Sequence, residues 1–208
     1  APGRQFPVEQ RWSAPGTLDR FHPAPAVARA SAGLYREKAG DMLVFLPGMA
    51  EIEATRALLE TMLPEEALLL PLHGSLSPAE QDRALQPAPP GRRKVVLATN
   101  IAESSLTIDG VTLVVDSGLE RRLRYSPAAG ISFLELGRIS QASAAQRSGR
   151  AGRTAPGTVL RLWRVRRFRS VRRLIGRRVR FRGIRCLGDG LAGGQQHGGL
   201  CLPLLPPG

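Results

Sequence analysis

The chain has 208 residues and carries 30 Lys and Arg against 17 Asp and Glu, a formal net charge of +13. That length suits one domain with a real core, perhaps with a tail, and no apolar run approaches the roughly 18 residues of a membrane helix. The charge is uneven: residues 164–208 hold 11 Arg, no Lys and a single acid, Asp189, while residues 1–163 hold 19 basic and 16 acidic residues. Both cysteines, Cys186 and Cys201, lie in that basic end, so neither disulfides nor a cysteine-based metal site frames the body. His22, His73 and His197 show no ligand spacing. The first residues, APGRQFPVEQRW, lack a basic start followed by an apolar stretch, so no signal peptide is expected and the cytoplasm is the default. They also lack an initiator Met, which fits a piece of a longer chain.

Residues 1–23 are Pro-rich and read as a lead-in segment with one short strand in FPVEQRW. An Ala-rich helix is expected from about 24 to 38. DMLVFLPG (41–48) is a continuous apolar run stopped by Pro-Gly, the pattern of a strand buried on both faces. MAEIEATRALLETML (49–63) places Ile52, Leu58, Leu59 and Met62 on one side with acids in its first turn, an amphipathic helix. A second strand is expected in EALLLPLHG (66–74), then a helix at 78–85 capped by Ser77. RRKVVLATN (92–100) and GVTLVVDSG (110–118) are two more buried strands, with IAESSLT between them as loop and short helix. LRYSPAAGISFLELGRI reads as a β-hairpin, SAAQRSGRAGR as a short helix that Ser143 could cap, and GTVLRLW (157–163) as a last strand.

Strand and helix alternating in this way predict an α/β fold: a mostly parallel sheet in a three-layer αβα domain, with a β-hairpin insertion. Ligands in such sheets gather where the strands' C-terminal ends open into loops. Thr99-Asn100, Thr107-Ile108-Asp109 and Asp116-Ser117-Gly118 all follow or flank strands.

QRSGRAGR (146–153) sets Arg147, Arg150 and Arg153 three apart among small residues. On one continuous helix their charges would project together and repel unless an anion stood before them. By itself the octet reads as readily as a bland segment, a solvated basic turn or an RNA-contacting loop, as it does as an anion site. Asp109 before Gly110 could be a simple turn, Thr107 a strand-end hydroxyl, Glu103 a helix cap and His73 a packed strand-end residue.

Taken in order, these segments resemble a known family. RKVVLATNIAESSLTIDGVTLVVDSG (93–118) and QRSGRAGRTAPG (146–157) resemble motifs V and VI of DEAH-box superfamily-two helicases. MLVFLPGMAEIE (42–53) resembles motif IV, PLHGSLSPAEQDRAL (71–85) the segment after it, and the hairpin sits where that family carries one. The bacterial HrpB-type branch opens its second domain with a similar GR-FPVE stretch. The resemblance spans residues 3–163 and implies a RecA-like helicase C-terminal domain at 24–163, of the P-loop NTPase helicase fold.

It also implies roles. Arg150 and Arg153 would be arginine fingers at the rim where the sheet's loops gather, offering rigid donor forks to a transferring phosphoryl group. Gln146 would orient the attacking water, Gly149 and Gly152 would let the backbone come close, and Arg147 would pair with a carboxylate inside the domain. Asp109 would bind the ribose hydroxyls, with Ser105 and Thr107 near the nucleotide. Thr99, Asn100, Gly48 and Ser75 would meet the nucleic acid backbone, giving sequence-independent binding. Leu85 stands where many relatives stack an aromatic on the base.

The implied ligands are ATP or another NTP with Mg²⁺, held mainly by a first RecA-like domain, and single-stranded RNA or DNA. No metal ligand is expected in this chain, and no membrane. The sequence contains no G-x-x-x-x-G-K-[ST] phosphate loop and no Asp-Glu-Ala-His box, so the chain alone is expected to be inactive. The alternatives are a non-enzymatic basic nucleic-acid-binding fragment and an inactive pseudogene product. Residues 164–208 read either as a basic arm binding phosphates through counterion release or as a disordered, frameshifted end, because Arg, Gly, Leu, Val and Pro crowd out most other residue types.

Overall fold

The computed structural model describes residues 6–103 and 108–164; the expectations for the basic end beyond Arg164 lie outside them. Six parallel strands form one sheet in the order β1-β8-β5-β2-β4-β3. They are β1 (Val8–Trp12), β2 (Asp41–Phe45), β3 (Ala67–Leu72), β4 (Arg93–Ala98), β5 (Val111–Asp116) and β8 (Gly157–Arg161). Helices α1 (Ala24–Glu37), α2 (Met49–Met62), α3 (Pro78–Leu85) and α4 (Gln141–Gly149) make the crossovers. The strand expected in the lead-in segment pairs with β8 along the sheet edge.

The sheet is covered on both sides. Val27, Leu34, Ile52 and Leu59 from α1 and α2 pack on Met42, Val44, Val95 and Leu113. On the opposite side Ala84 of α3, Ala102 and Ala151 meet Leu43, Phe45, Val96, Val114 and Val159. Central β2 and β4 are buried along all but their first residue, while the edge strand β3 is only half-buried before Leu72. Continuous apolar runs are what a strand clothed on two faces requires.

Local chemistry sets several boundaries. Ser77 caps α3 reciprocally: its hydroxyl accepts from the Glu80 N–H (3.4 Å) and the Glu80 carboxylate accepts from the Ser77 N–H (2.9 Å). For α4 the cap is Ser140, whose hydroxyl accepts from the Ser143 N–H at 3.0 Å. Ser143, the expected cap, lies in the first turn. The helix starts early because Ile139, just ahead of it, is pinned, its N–H bonded to the Gly118 carbonyl at 3.0 Å.

Two consecutive cations at the start of β4 close helices on opposite faces. Arg93 donates to the carbonyls of Tyr35 (2.9 Å), Lys38 (2.7 Å) and Gly40 (2.8 Å) at the end of α1, and its guanidinium lies 3.8 Å from the Tyr35 ring centroid. The fully buried Lys94 donates to the Gln86 carbonyl at 2.7 Å, at the end of α3. Both satisfy orphan carbonyls and complement the helix dipole. Arg93→Ala is expected to lower the unfolding free energy by about 2–3 kcal/mol. The measurement is a fall in the urea midpoint at unchanged slope.

Strands β6 (Leu119–Ser126) and β7 (Ile131–Arg138) form a separate antiparallel ribbon with Leu123 opposite Leu134. Leu123 and Leu134 are 71% and 61% exposed. Arg121 ties the ribbon's base to α2 through Glu51 at 2.7 Å. The chain turns from β5 into β6 at Gly118, with φ +70° and Trp163 Cδ1 2.2 Å from where a Cβ would stand. Only glycine fits there.

Candidate nucleotide and nucleic-acid site

The expected site residues separate into two groups at different ends of the sheet. Thr99 and Asn100 follow β4, Gly48 follows β2, and Ser75 follows β3, so all four gather at the strands' C-terminal ends. Thr99 is buried with its N–H bonded to the Leu72 carbonyl at 3.3 Å, and Asn100 is exposed at the start of a 3-10 turn, Asn100–Ala102. Ser75 is exposed; its N–H donates to His73 Nδ1 at 3.1 Å, and its hydroxyl lies 2.7 Å from the same atom. His73 therefore orients Ser75. Gly48 is buried: Arg121 Nε and Glu51 Oε2 lie 3.0 and 3.1 Å from where its Cβ would be. That cover is not visible in the local pattern around Gly48, since Arg121 comes from the hairpin.

The arginine segment is built differently from its expected form. α4 stops at Gly149, and Arg150–Gly152 form a 3-10 turn leading towards β8. The three guanidiniums therefore do not share one helix face. Arg147 is completely buried, Arg150 is 3% exposed, and Arg153 is exposed. Nor do Arg150 and Arg153 stand at the rim where the C-terminal loops gather. β8 is parallel to its neighbours, so the helix before it must run back across the sheet, and its last residues arrive where β8 begins. The Gly152 carbonyl accepts from the Phe6 N–H at 2.9 Å, just ahead of β1.

Arg147 pairs with carboxylates inside the domain, as expected. Its Nε donates to Glu103 Oε1 at 2.8 Å and its Nη1 to Asp116 Oδ1 at 2.9 Å. Arg150 Nε donates to the Glu103 carbonyl at 3.1 Å. Burial first, and then the neighbouring positive charge of Arg153, pushes the Arg150 guanidinium down to about 10, with Glu103 opposing; at neutral pH it stays charged. Gly152 does permit a close approach, but to protein: a Cβ there would lie 2.6 Å from the Phe6 carbonyl oxygen. Gly149 has open space at the same position. Gln146 is exposed on α4.

Asp109 is exposed in the turn that enters β5, at the strands' N-terminal ends. Its charge is felt by Lys94, whose ammonium burial pushes down while Asp41 and Asp109 push it up. Asp109 and the Arg150–Gly152 turn thus both belong to the ends where strands begin. Ser105 and Thr107 fall outside the described residues. Among the described residues, no group of three or more His, Cys, Asp or Glu could hold a metal ion, and no helix is long and apolar enough to cross a membrane. A cavity of about 420 Å³ opens elsewhere, between Leu18, Gly118, Arg138 and Trp163 at the hairpin's base, and none of the expected site residues lines it.

A six-stranded parallel sheet between two helical layers, with an antiparallel hairpin before the arginine segment, is the RecA-like architecture of helicases. Residues 27–155 match the helicase conserved C-terminal domain, and the chain belongs to that family. It is 49% identical over 160 residues to the ATP-dependent RNA helicase HrpB of Escherichia coli, covering 77% of this chain and 20% of that protein. It is 44% identical over 173 residues to the human probable ATP-dependent RNA helicase DHX34, covering 78% of this chain and 15% of that one. The crystal structure of the Escherichia coli DEAH/RHA helicase HrpB superposes with a TM-score of 0.70 at 48% identity, over 77% of this chain and 20% of that one. The chain therefore spans a fifth or less of the length of these relatives.

Proposed function

We propose that this domain is the second RecA-like half of an ATP-dependent RNA helicase, completing an NTP site whose phosphate loop and Mg²⁺ ligands stand on a first RecA-like domain. The observation that carries the reading is the Arg150–Arg153 pair. One guanidinium is desolvated, the other exposed, and they lie close enough to repel. Arg presents a planar fork of donors that matches phosphate oxygens, so an exposed Arg153 beside Arg150 suits an anionic ligand. In this reading Arg153 and Arg150 stabilise charge on the transferring phosphoryl group, Gln146 orients the water, and Asp109 accepts from the ribose hydroxyls. ATP with Mg²⁺ supplies the transferable phosphoryl group, and the described residues supply donors for its oxygens.

The strand-binding part would be Thr99, Asn100 and Ser75 at the C-terminal ends, with Gly48 behind them. Backbone contacts of this kind hold a single strand without reading its sequence. RNA is the substrate named for both relatives, and DNA would offer the same phosphates.

One half of a clamp holds no triphosphate. Phosphate release from the purified chain, with ATP, Mg²⁺ and single-stranded RNA present, is expected to stay at the protein-free blank. Robust turnover would overturn the half-site reading. The same preparation is expected to bind oligonucleotides of unrelated sequence alike, with affinity falling steeply as salt rises.

A further inference from the structure

The strand-binding turn and the arginine segment belong to different elements, and a single residue joins them. Glu103 ends the 3-10 turn that Asn100 begins, donating its N–H to the Asn100 carbonyl at 2.9 Å. Its carboxylate accepts from the Ser143 hydroxyl (Oε2, 3.0 Å) and from Arg147 Nε (Oε1, 2.8 Å), both on α4. Its own carbonyl accepts from Arg150 Nε at 3.1 Å. We infer that Glu103 is a positioning residue that transmits strand binding at Thr99–Asn100 to the guanidinium of Arg150.

The geometry leaves little slack for a displacement of the turn. The Glu103 side chain is 10% exposed and that of Arg147 not at all. Arg147 cannot swing to absorb a shift, because its Nη1 is fixed at the far side by Asp116 Oδ1 (2.9 Å) and the Leu119 carbonyl (3.3 Å), with the Phe45 ring 4.7 Å beneath. Close-packed interiors pass such shifts on. A strand that draws Asn100 towards its phosphate moves Glu103, and Glu103 moves the donor fork that would meet the triphosphate. This rests on the proposed function, and it supplies a route by which bound RNA alters hydrolysis without touching the nucleotide.

The test follows the Arg Nε–Hε resonances of the ¹⁵N-labelled 208-residue chain while a uridine oligonucleotide is added. The Arg150 resonance is expected to move along the same saturation curve as the Asn100 amide. Glu103→Ala keeps the carbonyl that Arg150 bonds and removes the carboxylate that holds Ser143 and Arg147; the RNA still binds and the Arg150 shift is expected to shrink. Glu103→Gln, which keeps an acceptor of the same shape for Arg147, restores it. A plain structural brace would predict an unchanged shift in every folded variant. Should Glu103→Ala lack dispersed amide signals, Ser143→Ala removes one bond alone and is expected to shrink the shift. An Arg150 resonance that stays still in the wild type while the Asn100 amide moves overturns the inference, as does a full shift in Glu103→Ala. No RNA binding, or binding that leaves the Asn100 amide unmoved, overturns the strand-binding assignment itself.

Discussion

Arg153→Ala, made in a protein that joins this domain to a phosphate-loop domain, is expected to lower NTP turnover by ~10³–10⁵, a loss of about 4–7 kcal/mol of transition-state stabilisation. RNA affinity should be mostly kept. Phosphate release and fluorescence anisotropy on one preparation read the two effects separately. The contrast is informative because the rival reading, a basic fragment that holds nucleic acid and ignores nucleotide, predicts the reverse. Removing an exposed cation would then weaken RNA binding and leave hydrolysis alone. Arg150→Ala should match the loss of turnover, and because Arg150 is 3% exposed it should also lower the melting temperature. Arg153 is the cleaner probe of chemistry.

The largest effect on stability is expected at Arg147. Arg147→Met leaves two carboxylates, Glu103 and Asp116, without their shared cation in a buried site: their side chains are 10% and 1% exposed. Breaking a buried ion pair by removing one partner costs about 3–5 kcal/mol. Urea unfolding followed by circular dichroism measures it. Asp116 has other bonds, to the Gly118 N–H (2.8 Å) and to Trp163 Nε1 (3.0 Å), so it stays in place when Arg147 goes. Arg147→Lys is expected to recover only part of the loss. A single ammonium cannot present the separate Nε and Nη1 donors that reach two acids on different elements. An unfolding free energy unchanged by Arg147→Met would show that the pair contributes nothing to the fold.

How much of this was legible in the sequence follows how local each cause is. The helix at Pro78–Leu85 was readable to the residue because Ser77 and Glu80, its reciprocal cap, are three apart. β2, β4 and β5 were readable because burial on two faces demands uninterrupted apolar residues, and those runs end in Pro-Gly, Thr-Asn and Ser-Gly. The arginine segment was misread in shape for the opposite reason. A spacing of three suggests one helix face, and nothing in QRSGRAGR announces that the α-helix tightens into a 3-10 turn after Gly149.

The site was half legible. Asn100 and Ser75 lie where strand ends open into loops, as the topology rule requires. Asp109 and Arg150 do not, because each sits on the return path between parallel strands, and the rule concerns only the outgoing ends. Glu103 was read as a helix cap. Its side chain instead holds Ser143 and Arg147, 40 and 44 residues further along, and no window along the chain contains both partners. Gly152 brings the backbone close to the Phe6 carbonyl, a neighbour 146 residues away that no local pattern could announce.

The hairpin stands apart in one further respect. As strands, β6 and β7 pair with each other in a sheet separate from the other six, and a lone pair of strands is marginal in water. Its rungs can melt and reform while the six-stranded sheet keeps every bond it has, so the domain contains two melting units of unequal strength. Mutations at Leu123 or Leu134 would pass unnoticed in a global denaturation curve, and their whole effect would appear in how often the ribbon is found zipped.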